Sequence, residues 1–292
     1  MLTTANVLAA LLALLPYLAA AFFPRSAVRW AHRLPAPLQL VLPAAFSLPY
    51  VLVTCAAGVF RWGWFALYLL LPVVVAGLLQ RPEAAAGSGD AGNWREFLVL
   101  IVLGLAVDLR WFEGAWPAHL SIFNKVLLLD TGIYGFVVLR QLGGTGFDLR
   151  LRLADAAGGL RELVLYTPIA LALGLGLGFL HAHAVWPRLA SMAGAWLFTF
   201  FFIAVPEELF FRGWLQNLLE RRLGRAPALF LTAALFGLAH FNKRTAHFNG
   251  RYVLLAAVAG IFYGRAWRRQ RRVAASAVTH ASVDAIWSLW LR

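Results

Sequence analysis

Hydrophobic positions form long, nearly continuous runs along this chain, and short polar or arginine-containing stretches separate them. A run of about 20 apolar residues is the length that an α-helix needs to cross the hydrocarbon core of a bilayer. We therefore predict an all-α, polytopic membrane protein of about eight to ten transmembrane helices. The hydropathy pattern places them near residues 5–23, 38–60, 63–80, 95–110, 119–140, 162–185, 190–213, 226–241, 252–267 and 273–291.

Composition points the same way. Hydrophobic residues make up 61% of the 292 residues and charged residues only 13%, whereas a soluble domain carries about 25% charged residues. The single cysteine, Cys55, excludes an intrachain disulfide and a cysteine-based zinc site. The first apolar run, Val7 to Phe23, lacks a basic n-region, so we interpret it as a retained span and not as a removed signal peptide.

The net charge of +13 comes from arginines that punctuate the apolar runs and form no separate basic domain. This distribution is typical of membrane topology signals and of attraction to anionic lipid, and we predict no nucleic-acid partner. If all ten spans exist, most basic residues collect at one membrane face, including the stretches 221–225 and 265–272. That face should be cytoplasmic, which places both termini on the other side.

The residues with catalytic potential all fall in the last part of the chain. We assign residues 161–292 to a catalytic core and residues 1–160 to an N-terminal transmembrane bundle without a recognised motif. Three polar clusters of the core lie inside predicted spans, where a charged side chain costs roughly 2.5–3.5 kcal/mol on insertion scales. Such residues are rarely placed in hydrocarbon without a function.

The first cluster contains Glu207, Glu208 and Arg212. Glu208 and Arg212 are four residues apart and share a helix face, so we predict an ion pair between them. Glu207 is rotated by about 100° from Glu208 and stays available as a general base. The alternative is a buried ion-pair network that only fixes helix packing.

The second and third clusters each hold a histidine one helical turn from a partner. Phe236 and His240 share a face, and Gly237 between them allows another helix to approach closely. His280 and Asp284 have the same spacing, so the carboxylate can accept a hydrogen bond from the imidazole and fix its tautomer. Each pair alone also fits a structural contact. Two glutamates and two histidines together can activate water, with or without a metal.

The order E-E-x-x-x-R, F-x-x-x-H, H-x-x-x-D resembles the motifs of the CPBP family of CAAX proteases and bacteriocin-processing enzymes, also called the Abi family. The resemblance covers about residues 189–291 and implies an intramembrane endopeptidase. It implies that Glu207 and His240 activate water and that Glu208 and Arg212 support them. His280 and Asp284 match the third motif.

One position departs from the family pattern, since members usually carry Asn where this chain has Asp284. An ionised Asp can orient His280 but cannot donate a hydrogen bond to an oxyanion, so an oxyanion role requires a protonated Asp284.

The resemblance permits two mechanisms. Water can be activated without a metal, or Glu207, His240 and His280 can ligate zinc. The chain has no H-E-x-x-H motif, and we favour the metal-free mechanism, with zinc as a close alternative.

The implied substrate is a membrane-anchored protein or peptide, cleaved as a CAAX-type terminus, a bacteriocin leader or a C-terminal sorting segment. The implied location is a bacterial inner membrane. Two other functions stay open: a non-catalytic immunity or scaffold protein of the same fold, and a transporter with charged residues at the membrane midplane.

The depth of the candidate residues gives an inconsistent picture. Counted at 1.5 Å per residue from Arg221 and Arg225, Glu207 and His240 lie about 21–22 Å from the basic face. His280 lies only about 12 Å from Arg272. Helix tilt or a protruding hairpin at residues 221–225 would be needed to reconcile the two values.

Overall fold

The computed structural model describes residues 3–80, 92–183, 186, 188–243 and 247–291. Within these residues the chain is helical and contains no strand, which confirms the prediction of an all-α fold. The chain divides into two compact units, Met1–Gly143 and Gly144–Arg292. Residues 144–160, which the sequence analysis assigned to the N-terminal bundle, therefore lie in the second unit.

The first unit is a bundle whose helices follow the predicted apolar runs, except for the short polar helix α2 between the first two runs. A 3₁₀ segment joins its third and fourth helices, and the seventh continues as a π-helical segment, Tyr134–Leu139. In the described part of this unit the helices are α1 (Thr4–Phe22), α2 (Pro24–Ala31), α3 (Ala36–Val41), α4 (Leu48–Ala56), α5 (Trp62–Leu79), α6 (Trp94–Asp108) and α7 (Ile122–Ile133).

Buried polar side chains link helices of the first unit. The Trp116 indole donates a hydrogen bond to the Tyr68 hydroxyl (2.7 Å), which donates in turn to the Asn124 amide oxygen (3.1 Å). Glu96 receives the Arg140 guanidinium in a buried ion pair. These contacts satisfy polar groups where water cannot, as membrane interiors require.

The second unit contains the predicted catalytic core. A single helical segment, Leu189–Leu223, passes through two π-helical turns and includes three α-helical parts. The described helices of this unit are α8 (Leu153–Gly176), α9 (Leu189–Thr199), α10 (Val205–Glu208), α11 (Asn217–Leu223), α12 (Arg225–Leu238), α13 (Gly250–Gln270) and α14 (Val273–Trp290).

Six helical segments of the described chain are long and apolar enough to cross a membrane. Together with the helical fold they establish a polytopic integral membrane protein. Each of the other four predicted spans also has a helix, but α6 and α12 are shorter and α13 and α14 are more polar. The six segments are Thr4–Phe22, Ala36–Ala56, Trp62–Leu79, Ala118–Leu139, Leu153–Gly176 and Leu189–Leu223.

Helix α8 differs from its predicted bounds, 162–185. It begins at Leu153, because the charged residues of its first turns are paired and buried: Asp155 binds Arg272, and Glu162 binds Arg265 at 3.0 Å. It ends at Gly176, because Gly178 adopts a left-handed conformation (φ 60°) that turns the chain out of the helix.

Small residues allow the helices of the second unit to pack closely. A Cβ on Gly159 of α8 would lie 2.7 Å from the carbonyl oxygen of Ala275 in α14. A Cβ on Gly237 of α12 would lie 2.5 Å from the carbonyl oxygen of Val253 in α13. The close approach predicted at Gly237 is therefore present, and each contact packs one motif-bearing helix, α14 or α12, against a neighbouring helix.

Candidate active site

The glutamate pair lies on a helix of changing pitch. The α-helical turn Val205–Glu208 is flanked by the π-helical segments Phe200–Ala204 and Leu209–Gln216. Pro206 is the second residue of this turn, where the preceding wide turn accommodates its missing N–H and its ring. Such π turns occur frequently at functional sites, because the inserted residue redirects the side chains beside it.

Glu208 is the centre of a buried charged network. One carboxylate oxygen, Oε2, lies 3.2 Å from Nε of Arg212, and the other, Oε1, accepts a hydrogen bond from Nδ1 of His280 at 2.9 Å. Both Glu208 and Arg212 have no solvent-exposed side-chain surface. Arg212 also donates to the carbonyl oxygen of Gly260 at 3.0 Å. The pair therefore connects α10, α13 and α14.

Aromatic rings surround the guanidinium of Arg212. Its Cζ lies 4.6 Å from the centre of the Phe236 ring and 5.6 Å from that of Tyr263. A desolvated cation over an aromatic face gains roughly 2 kcal/mol. These rings thus offset part of the cost of burying Arg212.

Glu207 stands beside this network and has a different environment. Its Oε2 lies 3.9 Å from Nε2 of His280, and its side chain is 35% exposed. That oxygen is buried and has no hydrogen-bond partner among the described residues. A partly exposed carboxylate beside a histidine can bind water or substrate, whereas the fully buried Glu208 cannot.

The His240 ring is held in one tautomer. Its Nδ1 lies 2.8 Å from the carbonyl oxygen of Phe236, which can only accept, so Nδ1 carries the proton of the neutral ring. Nε2 then has the lone pair and can accept a proton or bind a metal. The Phe236 ring lies 4.8 Å from the His240 ring, in the contact that their spacing predicts.

The orientation of His280 depends mainly on Glu208. The sequence analysis gave that role to Asp284, but its Oδ2 lies 3.5 Å from Nε2 of His280, longer than the 2.9 Å contact of Glu208 with Nδ1. Glu207 faces the same Nε2 at 3.9 Å. Three carboxylates therefore surround one imidazole, and Arg212 balances part of their charge.

Two tyrosines of the site carried no motif signal in the sequence. The Tyr263 ring stacks on His280 with centroids 4.7 Å apart and planes inclined by 15°. Tyr252 contacts the His240 ring at 5.0 Å. Both lie on α13, which has no motif residue. One sequence signal could have identified this face of α13 as a contact surface. Tyr263 lies one helical turn from the small residues Ala259 and Gly260.

His240, His280 and Asp284 line one cavity of about 100 Å³. Its wall is otherwise mostly apolar and comes from one face of α8, the chain just after α8, the end of α12, residues 252–263 of α13 and residues 280–287 of α14, with Leu291 beyond its end. Glu207 is not part of this lining, but it reaches His280 from α10. The structure thus brings the three motifs together around the His280 ring.

Zinc was one of the two alternatives from the sequence. Among the described residues, no group of three or more His, Cys, Asp and Glu side chains is arranged to hold a metal ion. The nitrogen Nδ1 of His280 is engaged by Glu208, so only Nε2 of each histidine is available as a ligand. Zinc therefore stays a prediction that needs a chemical test.

The inconsistent depth of His280 has a structural explanation. Arg272 is only 8% exposed and does not mark the membrane surface. Its Nε donates to both oxygens of Asp155 (2.8 and 3.0 Å), and its Nη2 donates to the carbonyl oxygens of Asp148 and Arg150. A distance counted from Arg272 therefore starts at a side chain buried in the protein. It underestimates how far His280 lies from the basic face.

The polar loop that precedes α8 lies outside the predicted spans and contacts the start of α14. Arg150 donates two hydrogen bonds to Asp148, and these lower the pKa of the Asp148 carboxyl to about 2, with Arg272 contributing. The Val273 amide, at the start of α14, donates to the carbonyl oxygen of Gly146 at 2.9 Å. The loop therefore holds the first turn of the helix that carries His280.

Acidic and histidine side chains that meet inside a membrane-spanning unit point to a functional site. Residues 189–286 match the family model described as Rce1-like, type II CAAX prenyl endopeptidase Rce1-like. The match contains all three motifs, so the resemblance predicted from them is confirmed for this segment, and a protease-type function is supported. No curated protein and no solved structure matches the chain.

Proposed function

We propose that this protein is an intramembrane endopeptidase that hydrolyses a peptide bond of a membrane-anchored protein or peptide in a bacterial inner membrane. The observation that carries the proposal is the partly exposed Glu207 carboxylate, whose Oε2 lies 3.9 Å from Nε2 of His280, while Glu208 and Arg212 form a separate buried pair. A scaffold would have no need for a second carboxylate beside this buried pair.

The proposed reaction begins with water held by Glu207 and Nε2 of His240. Glu207 removes a proton as the water oxygen attacks the peptide carbonyl carbon. His280 acts as an imidazolium: its Nδ1 donates to Glu208, and its Nε2 donates a hydrogen bond to the resulting oxyanion. The C–N bond then breaks, and the proton on Glu207 passes to the leaving amine. Arg212 compensates the charge of Glu208, and Glu208 in turn orients the ring of His280 through Nδ1.

The test can be made before any substrate has been identified. New peptide termini are measured by mass spectrometry in membranes of cells that produce the wild type, Glu207→Gln or Glu113→Gln. Glu113 is a partly exposed glutamate of the first unit and provides the same chemical change away from the site. We expect termini that appear with the wild type and Glu113→Gln but not with Glu207→Gln. Identical termini in all three membranes would contradict the proposal.

The two mechanisms are separated by chelation. A metal-free reaction keeps its rate after treatment with 1,10-phenanthroline and dialysis. A zinc-dependent reaction loses its rate and recovers it when zinc is returned, since Glu207, His240 and His280 would then be ligands. We expect the rate to persist. The non-chelating isomer 1,7-phenanthroline is the matched control.

A further inference from the structure

The helices of the second unit have one arginine-rich end. Helix α8 begins there, α11 ends and α12 begins there, and α13 ends and α14 begins there. Apart from the buried Arg272, the arginines at these helix ends and in the adjoining loop are Arg150, Arg152, Arg161, Arg221, Arg222, Arg225, Arg265, Arg268, Arg269 and Arg271.

The opposite end carries few basic residues. In the described part of this unit they are Arg188, Lys243 and Arg251. Excess Lys and Arg near the ends of membrane helices marks the cytoplasmic side. The arginine-rich end is therefore cytoplasmic, and the opposite end faces the extracytoplasmic side.

Most of the cavity at the candidate site lies in the half of the unit remote from the arginines, and its inner end reaches Leu163 of α8, Tyr263 of α13 and His280 of α14. Phe236 of α12 and His240, just beyond the end of that helix, line the cavity. On α13 the lining begins at Tyr252, near the start of the helix. On α14 the lining runs from His280 to Leu291. At 1.5 Å per residue this path is about 16 Å long. We call this cavity, with its path along α14, the outer groove.

The outer groove has a polar inner end and apolar walls. His280 and Asp284 lie at its inner end, and Trp287 and Leu291 lie towards the extracytoplasmic side. On α8, Ala170 lines the groove, whereas Val164 of the same helix lies outside it and is 69% exposed. Because His280 lies at the inner end of the groove, a peptide that places its scissile bond beside His280 would continue along the groove.

We propose that the outer groove receives an apolar peptide segment of the substrate from the extracytoplasmic half of the membrane. The substrate class is then a membrane protein whose cleavage site lies near the extracytoplasmic end of an apolar segment. Cleavage of that segment rests on the proposed function, whereas the side from which the groove opens does not.

The side of access is tested by thiol labelling, which needs no catalytic activity. Ala170→Cys, Val164→Cys and Arg269→Cys are made in a Cys55→Ser background and treated with a membrane-impermeant maleimide. Right-side-out and inverted membrane vesicles are compared. We expect Ala170→Cys to react only in right-side-out vesicles, Arg269→Cys only in inverted vesicles, and the lipid-facing Val164→Cys in neither. Reaction of Ala170→Cys only in inverted vesicles, or in neither preparation, would overturn the proposal.

The occupant is tested by protection of the same thiol. Glu207→Gln is added to the Ala170→Cys protein so that a bound reporter is not cleaved. The probes are a single-span reporter with its cleavage segment on the extracytoplasmic side, the same reporter in reversed orientation, and farnesol. We expect the first reporter to slow labelling at least about tenfold and the others to have little effect. No protection by the first reporter, or equal protection by the reversed reporter or by farnesol, would overturn the assignment. Because neither assay measures cleavage, a failed endopeptidase proposal would be recognised separately.

Discussion

At the scale of single residues, the site depends on the buried positive charge of Arg212. Arg212 has no exposed side-chain surface and lies between Glu208, the carbonyl of Gly260 and two aromatic rings. Removing one member of a buried ion pair leaves the other charge uncompensated, which is far more destabilising than loss of an exposed pair.

We expect Arg212→Ala to destabilise the fold by about 3–5 kcal/mol, because Glu208 would be left buried and unpaired. Glu207→Gln should yield a folded, inactive protein, because Glu207 is partly exposed and makes no ion pair with Arg212 in the structure. Expression level and thermal unfolding in detergent distinguish the two, with the exposed Arg269→Ala as control. A well-folded Arg212→Ala protein together with an aggregated Glu207→Gln protein would reverse these roles.

Asp284 has a weaker contact with His280 than Glu208 has, at 3.5 Å against 2.9 Å. We expect Asp284→Asn to keep the fold and most activity, because the shape and the contact with Nε2 are retained. Asp284→Ala should lower activity by about 10–100-fold, the range typical of lost supporting carboxylates. Cleavage rates across pH, normalised to protein level, provide the measurement. An Ala variant as active as the parent would show that Asp284 only fills space.

At the scale of the elements, the position of His280 follows from how α14 is seated. Thr279, next to His280, donates a hydrogen bond to the carbonyl oxygen of Gly159 at 3.0 Å, and Arg272 binds Asp155. Helix α8 thus fixes both the start of α14 and the turn that carries the imidazole.

The close approach of α8 and α14 predicts an unfavourable effect of one methyl group. In Gly159→Ala the new Cβ would lie 2.7 Å from a backbone oxygen, and overpacking costs about 1–3 kcal/mol. This exceeds the gain in helix propensity of about 1 kcal/mol. Gly194→Ala, where nothing lies within 4 Å of the new Cβ, should be neutral or stabilising. Thermal unfolding compares the two, and equal midpoints would contradict the packing argument.

The loop before α8 predicts an acid-sensitive contact. The folded-state pKa of Asp148 is lowered to about 2 by hydrogen bonds from Arg150, below an unfolded value of about 3.9. This group therefore stabilises the fold above about pH 4, and the contribution is lost as the pH falls towards 2. The unfolding midpoint of the wild type should decrease more than that of Asp148→Asn over this range. Parallel curves would show that Asp148 makes no such contribution.

The sequence spacing predicted the contacts of this site that join residues close together in the chain. Residues four apart on a helix meet, so the contacts of Glu208 with Arg212 and of Phe236 with His240 could be inferred from the sequence. The bond between Glu208 and His280 joins residues 72 positions apart, and no pattern in one sequence encodes it.

Two other features could not be predicted from the sequence, for physical reasons. The π turns beside Glu207 leave no mark in hydropathy, because they change pitch by one residue without changing composition. An arginine at the end of a membrane helix usually lies at the membrane surface, so the sequence predicts that position for Arg272. In the structure, Asp155, 117 positions away, pairs with Arg272 and makes its burial possible.

At the scale of the whole molecule, the candidate site belongs to the second unit, Gly144–Arg292. All three motifs and the cavity fall within this unit. The first unit carries its own buried hydrogen-bond network and its own apolar helices. Its contribution to substrate choice is open to direct experiment.

The central claim is that Glu207 makes water attack a peptide bond inside the membrane. The most direct measurement uses purified protein in proteoliposomes with a reporter taken from the termini that depend on Glu207, in water enriched in ¹⁸O. The account predicts that the new carboxyl terminus carries one ¹⁸O with the wild type and that Glu207→Gln forms no product. Product formed equally fast by Glu207→Gln, or a product without ¹⁸O, would contradict it.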